Sequence, residues 1–279
     1  MAIDYRFKNT DWALILGGSS GFGGATAVEL AKHGMNICVV HFDRAATQPN
    51  ADQVKRDVEA QGVKTLFFNV NAADPEKRAE VIDTLAKEFG AESNLRVLMH
   101  SLAFGSLKPF ITTDIKQQLT QAQVEMTMDV MANALVYWTQ AAFNKGLMKK
   151  GGRVFTMTSF GGHTQIPNYG AVSAAKAASE SYIRQLAYEL GPYGITCNAI
   201  MAGATDTAAA RKIPSAQAML DVALAKNPSM KLTTPEFVAK AISLLSHEDS
   251  FFISGNTIGV DGGEAVVQYI GQKDALHYE

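Results

Sequence analysis

Short apolar runs alternate with longer amphipathic stretches along most of the chain. The runs predict strands at 13–16, 37–40, 66–70, 97–100, 154–157, 195–200 and 257–260. The stretches between them predict helices at 25–33, 53–61, 75–89, 126–144, 172–190 and 235–245. This alternation is typical of a parallel sheet with helices on both faces, and uniformly apolar runs fit strands buried between two helix layers. The pattern therefore predicts an α/β fold: a single doubly wound domain, residues 1–279, with a mostly parallel seven-stranded sheet.

Composition narrows the classes of function. Apolar residues make up 47% of the chain and charged residues 19%, which is enough to bury a substantial core. The 25 basic and 27 acidic residues leave a net charge of -2, so we expect no nucleic-acid partner. No cluster of His, Cys, Asp and Glu has the spacing of metal ligands, so no metal is expected.

The cysteines and the N-terminal segment bear on the compartment. Cys38 and Cys197 form neither a disulfide framework nor a CxxC pair, which suits a reducing compartment. The N-terminal segment is charged where a signal peptide needs an apolar run, and no apolar run reaches the length of a membrane span. We expect a cytoplasmic protein without a membrane partner.

The first predicted strand runs directly into a glycine-rich turn, GGSSGFGG at 17–24, and a predicted helix follows. Glycines permit a tight turn and let backbone N–H groups approach a pyrophosphate at the helix N-terminus, where the helix dipole favours an anion. The turn therefore predicts a dinucleotide cofactor, bound by Gly17, Ser19, Ser20, Gly21, Phe22 and Gly23.

The spacing Gly17-x3-Gly21-x-Gly23 resembles the short-chain dehydrogenase/reductase family. The likeness continues to the segment 254–263 and spans nearly the whole chain. It implies a Rossmann fold with further cofactor-binding residues at the ends of the third, fourth and sixth strands. These are Asn69, Val70, Ser101, Leu102, Ala103, Gly203, Thr205 and Thr207.

The end of the second strand bears on the choice of cofactor. In members of this family that use NAD, a carboxylate stands there, and in this chain the place holds His41. His41 and Arg44 favour NADP(H), because a basic residue pairs with the 2′-phosphate. A small shift of register would instead make Asp43 the acid that favours NAD(H).

Ser159, Tyr169 and Lys176 are the candidate catalytic residues. Ordinary members of the family carry Tyr-x3-Lys, but here the tyrosine place holds Val172 and the spacing is Tyr169-x6-Lys176. This spacing, within IPNYGAVSAAKAA at 166–178, resembles the enoyl-acyl-carrier-protein reductases. Residues seven apart share nearly the same helix face, so Lys176 and the tyrosine can face one pocket. The resemblance implies that Lys176 also binds the nicotinamide ribose.

The displaced tyrosine suits one kind of reduction. Three residues along a helix correspond to roughly 4.5 Å. A ketone reductase protonates the oxygen on the carbon that receives hydride. An enoyl thioester receives hydride at C3, whereas negative charge develops on the thioester oxygen, two carbons farther along. A displaced phenol fits the second geometry.

Two further departures point the same way. The fourth strand ends in MHSLAF at 99–104, which resembles enoyl reductases, and the family's catalytic asparagine maps onto Met131. Ser159 with the compact glycine turn resembles the NADPH-dependent enoyl reductase subgroup. We interpret His100 as a strand-end histidine and His163 as a loop residue rather than as acid–base groups.

The segment 208–232 does not follow the alternation and is predicted to be a lid over the acyl chain. Its basic pair, Arg211 and Lys212, is predicted to face an acidic carrier protein. The alternative is a surface loop with a short helix.

The leading hypothesis is an NADPH-dependent enoyl-acyl-carrier-protein reductase of fatty acid biosynthesis, acting on a trans-2-enoyl thioester. The alternative enzyme is a carbonyl reductase, such as one acting on 3-oxoacyl thioesters, and a third hypothesis is a nonenzymatic dinucleotide sensor. The family resemblance also implies a homotetramer.

Overall fold

The computed structural model describes residues 5–213 and 215–268. Within them, one sheet of seven strands has the order β3-β2-β1-β4-β5-β6-β7, and every neighbouring pair is parallel. The strands are β1 (Asp11–Leu16), β2 (Asn36–His41), β3 (Thr65–Asn69), β4 (Asn94–His100), β5 (Arg153–Ser159), β6 (Thr196–Ala202) and β7 (Thr257–Val260). The predicted α/β fold and its seven strands are confirmed, and the sheet is parallel throughout.

Eight α-helices connect and flank these strands in the described part of the chain. They are α1 (Gly21–Lys32), α2 (Gln48–Glu59), α3 (Pro75–Glu88), α4 (Gln121–Met128), α5 (Ala134–Asn144), α6 (Gly170–Leu190), α7 (Ala216–Lys226) and α8 (Pro235–Leu245). The predicted helix 126–144 is confirmed, but it begins earlier, at Gln121, and contains a π-helical turn at Asp129–Asn133 between α4 and α5. The segment 208–232, predicted to be a lid, contains α7. Pro214 of this segment lies outside the described residues.

The strands are apolar on both sides because each face of the sheet carries its own core. Leu14 and Leu16 of β1 pack into a cluster with Trp138 of α5. Ala13 and Ile15, which point the opposite way, pack into a second cluster with helices α1 and α8. Side chains alternate between the faces of a strand, so a strand covered on both sides needs apolar residues at every position. This explains the uniformly apolar runs in the sequence.

The strand order places the ligand crevice. Chain order reverses between β1 and β4, which are neighbours in the sheet although two strands intervene in sequence. In open parallel sheets, ligands bind outside the carboxyl ends of the strands at such a switch point. The glycine turn follows β1, and the catalytic candidates follow β5, so both lie at this edge.

Candidate active site

The glycine turn is a cradle that side chains would fill. Gly17 has a φ of +84°, and a Cβ atom there would lie 2.6 Å from the Ser101 carbonyl oxygen. A Cβ atom on Gly23 would lie 2.2 Å from the Gly17 carbonyl oxygen. The Ser101 N–H donates to the Leu16 carbonyl at 2.8 Å, which joins the end of β4 to the turn. Glycine is therefore required at both positions to keep the backbone this close.

The N-terminus of α1 is suited to an anion. Ser20 is its N-cap, but the Ser20 side chain makes no capping hydrogen bond, and the first turn carries no acidic residue. The first N–H groups of a helix need partners from outside it, and the dipole favours a negative ligand there. Together with the glycine cradle, this end of α1 fits the pyrophosphate of a dinucleotide.

Beside the turn, the end of β2 holds an acid–histidine pair. His41 is buried, and its Nδ1 lies 2.9 Å from Asp43 Oδ2. Burial raises the pKa of Asp43, but hydrogen bonds from Thr47, Ser19 and His41 outweigh it and lower the pKa overall. Asp43 is therefore an anion directed toward the glycine turn, whereas Arg44 is exposed.

Asn69, at the end of β3, holds the segment that follows β2. Its Oδ1 accepts from the Asp43 N–H, and its Nδ2 donates to the Asp43 carbonyl, both at 3.0 Å. Val70 donates its N–H to the His41 carbonyl at 2.8 Å. Asn69 and Val70, which the resemblance implies bind the cofactor, thus lie beside the end of β2 at the edge of the sheet.

The segments after β4 and β6 border the opposite side of the turn. Leu102 lies against Gly17, and Ala103 beyond it is exposed. A Cβ atom on Gly21 would contact the Thr207 methyl group at 3.8 Å, so the β6 segment reaches the turn. Thr205 is buried and donates its hydroxyl hydrogen to the carbonyl of Gly203 at 2.9 Å.

A buried carboxylate that the sequence interpretation overlooked supports this segment. Glu264 Oε2 accepts from the Ala204 N–H at 3.0 Å, and burial raises the pKa of Glu264. The residue comes 60 positions later in the chain, so no local pattern links it to the segment after β6.

Ser159 and Tyr169 meet directly. Ser159 ends β5, Tyr169 is the N-cap of α6, and their hydroxyl oxygens lie 3.4 Å apart. Asn168, with a φ of +63°, turns the chain into the helix just before the tyrosine. Burial raises the pKa of the Tyr169 phenol, and the hydrogen bond with Ser159 opposes this. The phenol therefore keeps its proton near neutral pH and can donate it in a hydrogen bond.

Lys176 lies two turns into α6 and is buried. Its Nζ donates to the Met157 carbonyl of β5 at 2.6 Å, so the ammonium is fixed against the strand that ends at Ser159. Burial lowers the pKa of Lys176 to about 8, against the attraction of Glu180. All three catalytic candidates are thus anchored to the carboxyl end of β5 or the start of α6.

The two positions to which the family resemblance assigns the ordinary tyrosine and asparagine are apolar and pack together. Val172 and Met131 are 4% and 3% exposed and belong to one small cluster of α6 and the π-helical turn. A Cβ atom on Gly105 would lie 2.8 Å from Met131 Sδ and equally close to Val172 Cγ2. We call Met131, Val172 and Gly105 the apolar plug. It leaves neither a hydroxyl nor an amide at these two positions.

Two backbone carbonyls of the π-helical turn accept hydrogen bonds from side chains. His100 Nε2 lies 3.1 Å from the Val130 carbonyl, and Ser179 Oγ donates to the Met131 carbonyl at 3.0 Å. Burial lowers the pKa of His100 to about 3, and the charge of Lys176 adds to this. A histidine that is neutral and hydrogen-bonded on both nitrogens fits the structural role predicted for it.

Glu180 is a second buried acid absent from the sequence interpretation. It lies one helical turn after Lys176, accepts from Thr158 Oγ1 at 2.5 Å and lies 2.9 Å from His163 Nε2. His163 lies in a turn, as predicted, and contacts this buried acid. The i, i+4 spacing of Lys176 and Glu180 places them on one face of a helix, and from this spacing the sequence could have indicated Glu180.

The predicted lid has structure but few buried side chains. Ala223 is the one fully buried residue of α7, whereas Leu224 and Met230 are exposed. Lys226 Nζ lies 5.1 Å from the ring centroid of Phe160, which brings α7 beside the catalytic segment. Arg211 forms two hydrogen bonds with Asp206, at 2.6 and 2.8 Å, which partly neutralise its charge.

Comparison with known proteins places this geometry in a family. A family model described as enoyl-(acyl carrier protein) reductase matches residues 17–264. The NADH-dependent enoyl-[acyl-carrier-protein] reductase of Nostoc sp. is 30% identical over 203 residues, which are 73% of this chain and 76% of that protein. The 3-oxoacyl-[acyl-carrier-protein] reductase of Synechocystis sp. is 29% identical over 252 residues, 90% of this chain and 95% of that protein.

The fold has counterparts among solved structures. The crystal structure of the NADH-dependent enoyl-[acyl-carrier-protein] reductase of Aquifex aeolicus matches with a TM-score of 0.79 at 22% identity. The match covers 93% of this chain and 98% of that one, and it shows that the fold is shared.

Two classes of feature are missing from residues 5–213 and 215–268. No helix there is both long and apolar enough to cross a membrane. The same residues contain no group of three or more His, Cys, Asp or Glu side chains arranged to hold a metal ion.

Proposed function

The chain belongs to the short-chain dehydrogenase/reductase family of oxidoreductases, and from this premise we propose that it is an NADPH-dependent enoyl-acyl-carrier-protein reductase. The observation that carries the proposal is the position of the phenol. Tyr169 contacts Ser159 at the end of β5, whereas Val172 and Met131 fill the ordinary catalytic positions with apolar groups. The site thus takes its phenol from a position three residues before the ordinary one, and we propose that this phenol serves the thioester oxygen.

The residues of the chain divide the chemistry as follows. A bound nicotinamide cofactor supplies the hydride. Tyr169 donates its phenolic hydrogen to the thioester oxygen and stabilises the negative charge that develops there. Its raised pKa keeps the phenol in the donating form. The charge of Lys176, fixed on β5 by the Met157 carbonyl, favours a polarised phenol and binds the ribose hydroxyls.

A carbonyl reductase is the second candidate. The relative from Synechocystis is named for 3-oxoacyl reduction, and the pair Ser159–Tyr169 is the kind of hydroxyl pair that polarises a carbonyl. A nonenzymatic sensor of dinucleotides, by contrast, has no use for the buried Lys176 beside a tyrosine.

We propose NADP(H) as the cofactor, with Arg44 pairing with the 2′-phosphate. The exposed guanidinium lies next to the segment that Asn69 holds at the edge of the sheet. The alternative is NAD(H). Asp43 favours it, because its anionic carboxylate is directed toward Ser19 of the glycine turn and repels a 2′-phosphate. His41 is buried and hydrogen-bonded to Asp43, so we propose no direct contact between His41 and the 2′-phosphate.

The proposal extends to partners and assembly. The partner is an acyl carrier protein that delivers the thioester, and the segment 208–232 acts as a lid over the acyl chain. Exposed Leu224 and Met230 supply apolar surface for that role. The enzyme is proposed to be one catalytic domain that forms a homotetramer in the cytoplasm.

The test compares crotonyl and acetoacetyl thioesters side by side with NADPH and NADH. Tyr169→Phe is expected to lower the turnover of crotonyl thioester by about 10²–10³-fold, the usual loss of one oxyanion donor. Tyr182→Phe is the matched control, because that phenol lies on the same helix and donates to Asn133 Oδ1 at 3.0 Å. Near wild-type turnover in Tyr169→Phe, or reduction of acetoacetyl thioester alone, contradicts the proposal.

A further inference from the structure

Glu180 is a buried carboxylate with two anchored partners. Its side chain is 4% exposed and connects β5, through the Thr158 hydroxyl, to the segment after β5, through His163. An acid this deep is costly unless its charge is hydrogen-bonded and paired. The two partners supply the hydrogen bonds, and the imidazole of His163 is half exposed to solvent.

Lys176 shares the space around this carboxylate. A Cβ atom on Gly162 would lie 3.2 Å from Lys176 Cβ and 3.4 Å from Glu180 Oε1. The lysine and the acid therefore lie side by side beneath the turn that follows Ser159. Thr158, which binds the acid, is the residue after Met157, whose carbonyl binds the ammonium. The two charges are anchored to adjacent residues of β5.

We propose that Glu180 is a positioning residue for Lys176: its carboxylate, fixed by Thr158 and His163, keeps the buried ammonium charged and in place. The role matters because burial alone favours the neutral amine. The pKa of Lys176 is lowered to about 8 by burial, and Glu180 is the charge that counteracts it. An uncharged amine polarises the phenol of Tyr169 less than the ammonium does, and it binds the ribose hydroxyls less strongly.

Other titratable groups around the pair have distinct pH ranges. His100, from β4, stays neutral above about pH 3. Tyr169, at the start of α6, has a pKa raised by burial. His163 contacts Glu180 from the turn after β5, with its imidazole half exposed. The alkaline limb of a pH profile near pH 8 therefore reports on Lys176 and on the charge of Glu180.

The sign of the effect follows from the charges. Lys176 is active when protonated, so activity falls as the pH rises through its pKa. Removing the negative charge in Glu180→Gln lowers that pKa further, and we expect the alkaline limb of kcat to move down by roughly one pH unit. Glu180→Asp keeps the charge and is expected to restore the limb toward that of the wild type.

A second variant alters a half-exposed side chain and leaves the buried Glu180 itself unchanged. His163→Arg places a permanent positive charge on the Glu180 carboxylate from a half-exposed position, and it is expected to move the limb in the same direction. Glu189→Gln is the control: Glu189 is an exposed acid of α6 that accepts from Gln185 at 2.6 Å, and its loss should leave the limb unchanged.

A second measurement is independent of turnover. Titration of the Lys176 Cε resonance by ¹³C NMR, assigned by its loss in Lys176→Arg, gives the pKa in protein without substrate. We expect Glu180→Gln to lower this pKa by the same amount as the limb. Unchanged values of both in Glu180→Gln and His163→Arg overturn the inference.

The inference rests on the proposed function through Lys176, and the two can fail separately. If Lys176→Ala retains full activity, the proposed catalytic site is wrong. If Lys176→Ala is inactive but Glu180→Gln keeps the wild-type limb and titration, the role assigned to Glu180 alone is wrong.

Discussion

Gly23→Ala tests whether the glycine turn is a cradle for the cofactor. The added methyl carbon would lie 2.2 Å from the Gly17 carbonyl oxygen, 2.9 Å from its carbonyl carbon and 3.1 Å from Gly18 Cα. All three atoms belong to the backbone, so no side-chain rotation can relieve the clash. The turn must move by about 1 Å to restore ordinary contact distances.

The expected cost can be divided between the fold and the ligand. Forcing an extra carbon into a packed site costs about 1–3 kcal/mol, so the free energy of unfolding should fall by that amount. The same displacement moves the N–H groups proposed to face the pyrophosphate. A loss of about 1.4 kcal/mol in binding free energy raises the dissociation constant tenfold. We therefore expect dinucleotide binding to weaken by about tenfold or more.

Urea denaturation and fluorescence titration with NADPH measure the two effects. Gly90→Ala is the matched control, because it makes the same chemical change where no atom beyond the neighbouring residues of the chain lies within 4 Å of the new carbon. Its stability should stay within about 0.5 kcal/mol of the wild type, with unchanged binding. If Gly23→Ala behaves like Gly90→Ala in both assays, the turn does not hold the dinucleotide.

Four other outcomes follow from the proposed function and assembly. Arg44→Ala should raise the Michaelis constant for NADPH by a factor equivalent to about 1.5–3 kcal/mol of binding free energy and spare NADH; equal effects on both, or a wild-type preference for NADH, contradict it. Val172→Ala should leave kcat nearly unchanged, and a loss as large as that of Tyr169→Phe contradicts the displaced-tyrosine assignment. Glu at both Arg211 and Lys212 should slow turnover of carrier-bound substrate and spare a short coenzyme A thioester; equal changes argue against docking there. Light scattering at micromolar concentration should give the mass of a tetramer, and a monomeric mass refutes that assembly.

Most of the fold follows from periodicity because both faces of the sheet are covered. A strand such as β1 needs apolar residues at every position, and that requirement appears directly in the sequence. The π-helical turn could not be predicted in the same way. Its apolar residues continue the pattern of α4 and α5, and what distinguishes it is the pairing of its carbonyls with His100 and Ser179.

The candidate site divides along the same lines. Gly17, Tyr169 and Lys176 stand out because motif spacing is local information. Glu264 and the contact between Thr158 and Glu180 join residues 60 and 22 positions apart, so only the folded chain brings them together. The acid beside His41 was visible as Asp43, but its orientation toward Ser19 depends on the turn and could not be inferred from composition.

The apolar plug has a consequence for how this active site can diverge. Met131 and Val172 pack in one buried cluster, so we expect a tyrosine at position 172 to crowd Met131, and an asparagine at position 131 to bury its amide among apolar side chains. Residues in direct contact typically couple by about 0.5–3 kcal/mol, so each change alone is unfavourable while the pair can be tolerated. Under the proposed function, a change from enoyl to ketone chemistry therefore requires these two positions to change together. Laboratory evolution by single substitutions should stall there, whereas a library that varies both codons together should not.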